Sequence, residues 1–89
     1  MPWYTYMLKC KDDSLYTGIT NNLVGRIITH NRGKGSKYLR GKRPVSLAYY
    51  EEYPNKSEAR KREAEIKSWN KIKKQNLVSL GRQKTAASG

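Results

Sequence analysis

Residues 3–10 alternate between two faces of an extended chain, which predicts a first β-strand. One face carries Tyr4, Tyr6, Leu8 and Cys10, and the other carries Trp3, Thr5 and Met7. Residues 11–14 are turn formers, and residues 15–20 return to aromatic and β-branched character, so the two segments predict an antiparallel hairpin. Gly18 in the second strand permits close backbone approach or a bulge.

Helical spacing begins after the hairpin. Asn21 or Asn22 can cap a helix whose apolar positions are Leu23, Ile27 and Ile28, and this helix ends before Gly33. The helix carries Arg26 and His30.

Residues 33–44 contain three glycines and many cations, with little to anchor them, so we expect an exposed loop. Its basic residues and the arginine just before it are candidate nucleic-acid contacts: Arg32, Lys34, Lys37, Arg40, Lys42 and Arg43. Such side chains neutralise backbone phosphates.

A third strand is predicted at residues 45–53, and residues 54–57 end it and offer an N-cap for a helix that runs to Lys67. A further short helix follows, and four apolar residues are expected to pack it on the core: Trp69, Ile72, Leu77 and Val78. The element order is therefore β-β-α-β-α-α. We expect one domain over residues 1–80 and a disordered tail over 81–89.

The amino-acid composition excludes two kinds of stabilising link. One cysteine and one histidine exclude an internal disulfide and a structural zinc site. The N-terminal residues show no basic leader before an apolar stretch, and no run of about 18 apolar residues could cross a bilayer. We therefore expect a cytoplasmic protein without a membrane segment.

The charge balance points to a polyanionic partner. Nineteen Lys and Arg against seven Asp and Glu give a net charge of +12. Such a charge destabilises a compact fold by self-repulsion unless anions offset it. Nucleic acid fits best. Solubility alone is the alternative, and a membrane surface is disfavoured because no segment combines a broad apolar face with a basic one.

Glu63 differs from the other acidic residues of its predicted helix in the face on which it lies. At 100° per residue, Glu63 lies close to the stripe formed by Ala59 and Ile66, whereas Glu58 and Glu65 fall among exposed cations. A carboxylate near an apolar face needs a cation, a hydrogen bond or a metal. Both an ion pair with a neighbouring Lys or Arg and a Mg²⁺ site are open at this point.

Tyr6, Tyr16 and Arg26 follow one another at intervals of ten residues. The chain resembles the GIY-YIG nuclease family, and in particular its small stand-alone bacterial members. Tyr4-Thr5-Tyr6 stands at the first signature triplet, without its Gly and Ile, and Tyr16-Thr17-Gly18 matches the second. The Arg26-x-x-x-His30-Asn31 and Ala59-x-x-x-Glu63-x-x-Ile66-Lys67 runs are also similar to that family, so the resemblance covers residues 3–78.

The resemblance implies an α+β fold with a small three-stranded antiparallel sheet flanked by helices. It also implies hydrolysis of phosphodiester bonds in DNA, in repair or recombination, with one Mg²⁺ or Mn²⁺ ion. By position, Glu63 would ligate the metal, Arg26 would hold the scissile phosphate, and Tyr6 and Tyr16 would position the attacking water, one of them as general base. We expect a monomer that binds DNA rather than RNA.

Each assignment has a simpler alternative. Tyr6 and Tyr16 could be core aromatics, and His30, placed to contact phosphate or shuttle a proton, could serve only the helix end. The acidic pair at residues 12–13 is predicted to form a turn rather than bind metal. For the whole chain, the alternatives are a non-catalytic nucleic-acid-binding module with the nuclease fold and a ribosome-associated basic protein.

Overall fold

The computed structural model describes residues 2–81 and the backbone of residues 84–85. Three antiparallel strands form the sheet: β1 (Trp3–Lys9), β2 (Leu15–Thr20) and β3 (Ser46–Tyr53), with β1 in the centre. This confirms the three-stranded antiparallel sheet flanked by helices. A two-residue strand, β4 (Lys84–Thr85), adds to β3 in parallel. It falls inside the segment expected to be a disordered tail, and the other residues after Gly81 lie outside the described part.

Four helices cover the two faces of the sheet: α1 (Leu23–Asn31), α2 (Lys37–Arg40), α3 (Lys56–Lys67) and α4 (Lys71–Leu80). Asparagine side chains cap α1, α3 and α4, since the Oδ1 atoms of Asn22, Asn55 and Asn70 accept backbone N–H bonds at 3.0, 2.9 and 2.8 Å. These bonds satisfy donors that the first turn of a helix leaves free.

The predicted alternation in β1 is present, and its two faces contribute to two hydrophobic cores. Tyr6 and Leu8 pack with Leu39 of α2 and with the apolar side of α1. On the other face, Met7 packs with Ile66 of α3 and with α4. The sheet is therefore a middle layer between two helical layers.

Two expectations about packing were wrong. The basic stretch between α1 and β3 is not wholly a loop, because Ser36 caps the short helix α2 and Leu39 is fully buried. Ile72 does not pack on the core and is 69% exposed, whereas Leu77 and Val78 do pack there. Five or six residues separate Ile72 from them, which turns its side chain about 120–140° away from the buried stripe.

The ends of α1 are both fixed to the sheet. At its start, the Thr20 hydroxyl accepts the Asn22 N–H at 3.0 Å. At its end, the Asn31 side chain donates to the Val45 carbonyl at 3.0 Å and accepts the Val45 N–H at 2.7 Å. Arg26 and His30 are therefore carried by a helix with a defined position over β1 and β2.

Candidate active site

The Tyr6 phenol lies buried on the α1 side of the sheet, directly opposite Gly18 of the edge strand β2. A Cβ atom on Gly18 would lie 2.7 Å from the Tyr6 Oη. Any other residue would therefore push the phenol away. Gly18 gives the hydroxyl its place over the edge strand, which is the close approach that a glycine within a strand indicates.

His30 is bonded on both sides of its ring. Its Nε2 lies 3.2 Å from the Tyr6 Oη, and its Nδ1 accepts the Ser36 backbone N–H at 3.3 Å. Since Nδ1 accepts, the hydrogen of the neutral ring is on Nε2, which then donates to Tyr6. This arrangement leaves the hydroxyl hydrogen of Tyr6 free to donate to another group.

The pKa directions agree with a neutral pair at pH 7. Burial raises the pKa of the Tyr6 phenol, and the nearby Tyr16 and Glu63 raise it further, while Arg26 lowers it. Burial also lowers the pKa of His30, and Arg26 adds to that effect. The charges of Arg26 and Glu63 therefore act on the phenol in opposite directions, and the effect of Arg26 is the larger.

Tyr16 joins Tyr6 and His30 in an aromatic cluster. Its ring centroid lies 6.4 Å from that of Tyr6 and 5.6 Å, edge-on, from that of His30. Tyr38 of α2 stacks on its other side at 6.1 Å. Tyr38 was not predicted to join this cluster, because a helix of one turn gives no periodic signal.

Arg26 lies at the surface beside this cluster. It lines an open groove of about 300 Å³ together with Thr20, Asn22 and Thr29. An accessible guanidinium can grip two oxygens of a phosphate at once.

Glu63 lies on α3, which packs on the opposite face of the sheet from α1. Its side chain is 20% exposed, between the buried Ala59 and Ile66, as the helical spacing predicts. Its carboxylate pairs with Lys67 at 3.1 Å, so the ion pair considered from the sequence is present. Its charge nevertheless acts on Tyr6, as noted above.

The residues present fit a divalent ion held by one protein ligand. Over the part of the chain that the structure describes, no three His, Cys, Asp or Glu side chains cluster as a metal site. Mg²⁺ is held in many proteins by one or two carboxylates, with waters and substrate phosphates completing its shell. The single carboxylate of Glu63, whose side chain is 20% exposed, suits that mode and not a cage of protein ligands.

The six candidate cations between α1 and β3 divide into two groups. Three support the local structure: Arg40 Nε donates to the Gly33 carbonyl, Arg43 Nε donates to the Arg40 carbonyl, and Lys42 pairs with Asp12 at 2.5 Å while covering the Tyr38 ring. The others extend into solvent: Arg32, Lys34 and Lys37.

The acidic pair at residues 12–13 forms a turn, as expected. The Asp12 carboxylate accepts the Ser14 N–H at 3.1 Å and its hydroxyl at 2.6 Å. Its hydrogen bonds to Lys42 and Ser14 hold its pKa below the usual range.

A buried acid on the other face was missed from the sequence. Glu51 accepts hydrogen bonds from the Tyr49 and Tyr53 hydroxyls and two from the Arg62 guanidinium, at 2.9 and 3.0 Å. The strand alternation contained the signal, because Glu51 falls on the same face as Tyr49 and Tyr53. This network stabilises the packing of α3 on β3.

Comparison with known proteins identifies the class to which this fold and site belong. The family of the GIY-YIG catalytic domain matches residues 2–76, and the chain belongs to that family. The resemblance drawn from the signature residues is thereby confirmed. GIY-YIG domains form a nuclease superfamily, so the chain has a nuclease-type catalytic domain.

Within that family, the chain is similar to small bacterial UPF0213 proteins. It is 52% identical to one from Staphylococcus haemolyticus over 84% of this chain and 92% of the relative, and 55% identical to one from Clostridium perfringens over 85% and 82%. The solution NMR structure of a UPF0213 protein from Bacillus halodurans is 46% identical and superposes with a TM-score of 0.59, covering 90% of this chain and 85% of that one. No helix among the described residues is long and apolar enough to span a membrane.

Proposed function

We propose that the protein is a metal-dependent endonuclease that hydrolyses phosphodiester bonds in DNA. The observation that carries this proposal is the Tyr6 hydroxyl. It is held by a neutral His30, and the charges of Arg26 and Glu63 both act on it. A catalytic site for phosphate esters needs a cation for the phosphate, a polar group for the attacking water and an acid for a metal.

Arg26 binds the scissile phosphate in this proposal. Its guanidinium is at the surface, lines a groove and stays charged at any physiological pH. As negative charge grows on the phosphate in the transition state, the guanidinium stabilises it more strongly than in the ground state.

Tyr6 orients the water that attacks. Its raised pKa keeps it protonated at neutral pH, so in the free protein it acts as a hydrogen-bonding group and not as a base. His30 occupies one side of the oxygen, so the phenolic hydrogen points away from the imidazole ring and can donate to another group. Tyr16, which is in contact with the same cluster and less buried, is then the better candidate for the general base.

Glu63 would hold the divalent ion, with Mg²⁺ or Mn²⁺ as the candidates, and Lys67 would release its carboxylate. An ion held by Glu63 would supply Lewis-acid stabilisation of the phosphate and would lower the pKa of a water bound to it. The cytoplasmic location, the monomeric state and a role in repair or recombination stay predictions.

A cleavage panel tests the proposal. Wild type, Glu63→Ala and Arg26→Ala are compared on single-stranded, duplex, flapped and branched DNA, and on RNA, with Mg²⁺ or Mn²⁺. We expect Arg26→Ala to lower kcat by about a hundredfold or more. Glu63→Ala should abolish cleavage and leave affinity intact, because the Lys and Arg surface supplies the affinity. Glu58→Ala, an exposed acid on the same helix, is the control. Absence of metal-dependent cleavage by wild type on every substrate refutes the proposal.

The Lys67–Glu63 ion pair favours a second candidate, a nucleic-acid-binding module that keeps the nuclease fold without turnover. It predicts binding that weakens steeply with salt, with no metal-dependent cleavage. Substituting Lys67 with Met separates the two candidates, since freeing the carboxylate should raise cleavage in the first, whereas the second predicts no cleavage by either protein and only weaker binding.

A further inference from the structure

A second groove lies on the same face of the sheet as the Tyr6 phenol, one row further along. Tyr50 is the register partner of Tyr6 on β3, and Glu52 is the register partner of Tyr4 on β1. The rings of Tyr4 and Tyr50 meet edge to face, with centroids 5.8 Å apart. With Glu52 and the start of α1 they line an open groove of about 320 Å³.

This groove is continuous with the one that Arg26 lines. Asn21 and Asn22 belong to both. Arg26 follows Asn22 by one helical turn, which is a rise of about 6 Å along α1. A phosphate on Arg26 would therefore leave the adjoining part of the same nucleotide at the second groove.

The residues that line the second groove determine which chemical groups could bind there. Tyrosine rings offer surfaces on which a planar base can pack. The Glu52 carboxylate would repel a phosphate and can only accept hydrogen bonds. A cationic peptide could use the same groups, but the net charge of +12 repels it. A neutral planar ring with hydrogen-bond donors satisfies all these conditions.

We propose that this groove is a nucleobase site beside the scissile phosphate, and that Glu52 selects bases with an exocyclic amino group. The carboxylate would accept a hydrogen bond from N4 of cytosine, whereas thymine presents a carbonyl oxygen at the same position. The inference rests on the proposed function for its nucleic-acid partner, and it adds the identity of the base next to the phosphate.

Binding to short single-stranded oligonucleotides tests the site without requiring cleavage. Oligo-dC and oligo-dT are the matched probes, since both are pyrimidines and they differ at the amino position. Fluorescence anisotropy is measured for wild type, Glu52→Gln and Glu58→Gln. The last variant removes the same charge from an exposed acid outside the groove, so it controls for the general gain in affinity when a negative charge is lost.

We expect wild type to bind oligo-dC about fivefold more tightly than oligo-dT. Glu52→Gln should remove that preference, because an amide both donates and accepts, while Glu58→Gln should keep it. Equal wild-type affinity for the two probes, or equal effects of the two substitutions, overturns the site. A preference for oligo-dC in a protein that cleaves nothing upholds the groove and refutes the nuclease. Cleavage by a protein that shows no base preference upholds the nuclease and refutes the groove.

Discussion

The substitution Gly35→Ala is expected to displace the His30 ring or the backbone beside it. A Cβ atom there would lie 2.2 Å from His30 Nδ1 and 2.6 Å from its Cε1. The ring cannot retreat easily, since it is 2% exposed and its far side is bonded to Tyr6. In Gly35→Ala, either the ring or the backbone that donates to it must move.

The cost follows from two contributions. Overpacking a closed site costs about 1–3 kcal/mol, and the lost Ser36 N–H bond to Nδ1 adds about 1 kcal/mol. In a domain of this size about 2 kcal/mol lowers Tm by roughly 8 °C or more. Gly41→Ala is the matched control, because nothing lies within 4 Å of its Cβ position and its φ of −87° is open to alanine. That control should be neutral or stabilise by about 0.5 kcal/mol.

Thermal unfolding by circular dichroism measures the stability, and ¹⁵N NMR of the His30 ring reports its tautomer. The ring signals need no further assignment, because the chain has one histidine. We expect wild type to show the hydrogen on Nε2 and Gly35→Ala to lose that bias together with stability. If Gly35→Ala has the same Tm as Gly41→Ala and keeps the hydrogen of His30 on Nε2, then Gly35 does not hold the ring in place.

Three further outcomes concern stability and protonation. Arg62→Met should cost about 3 kcal/mol in urea denaturation, since it leaves Glu51 buried without its cation, whereas Lys61→Met should match wild type. Burial raises the pKa of Glu51, but hydrogen bonds from Arg62, Tyr49 and Tyr53 outweigh it and bring that pKa below its usual 4.5. The stability that the ionised Glu51 contributes is therefore complete above pH 4.5 and is lost as the pH falls further. Glu51→Gln should flatten that acid limb. The lowered pKa of His30 means that the unfolded chain takes up a proton first, so stability should fall as pH drops below 6.5. A ring that titrates at or above 6.5 by NMR contradicts this.

Short-range patterns in the sequence predicted most of the fold. The alternation in β1 assigned Tyr6 and Met7 to opposite faces, and Asn22, one of the two asparagines predicted to cap the first helix, does cap α1. The one-turn helix at Lys37–Arg40 was missed because four residues cannot display a period. Ile72 was misplaced because its apolar character was considered without its angle on the helix.

The sequence indicated the individual residues of the candidate site, but not the hydrogen bonds that they make. The spacing and the resemblance selected Tyr6, His30 and Glu63, yet their partners come from other elements. The Ser36 N–H that fixes the His30 tautomer is a backbone group, to which no side-chain pattern points. The Lys67 ion pair was foreseeable from the i to i+4 spacing.

The bonds between Asn31 and Val45 have a consequence for how such a protein can vary. They join the end of α1 directly to the start of β3, so residues 32–44 form a closed excursion between the two bonded residues. The exposed residues of this excursion could change without displacing the guanidinium of Arg26, whereas the buried Leu39 belongs to the core beside Tyr6. All six candidate contact cations lie on this excursion, so changes at its exposed positions would alter the basic surface while α1 keeps its place on the sheet.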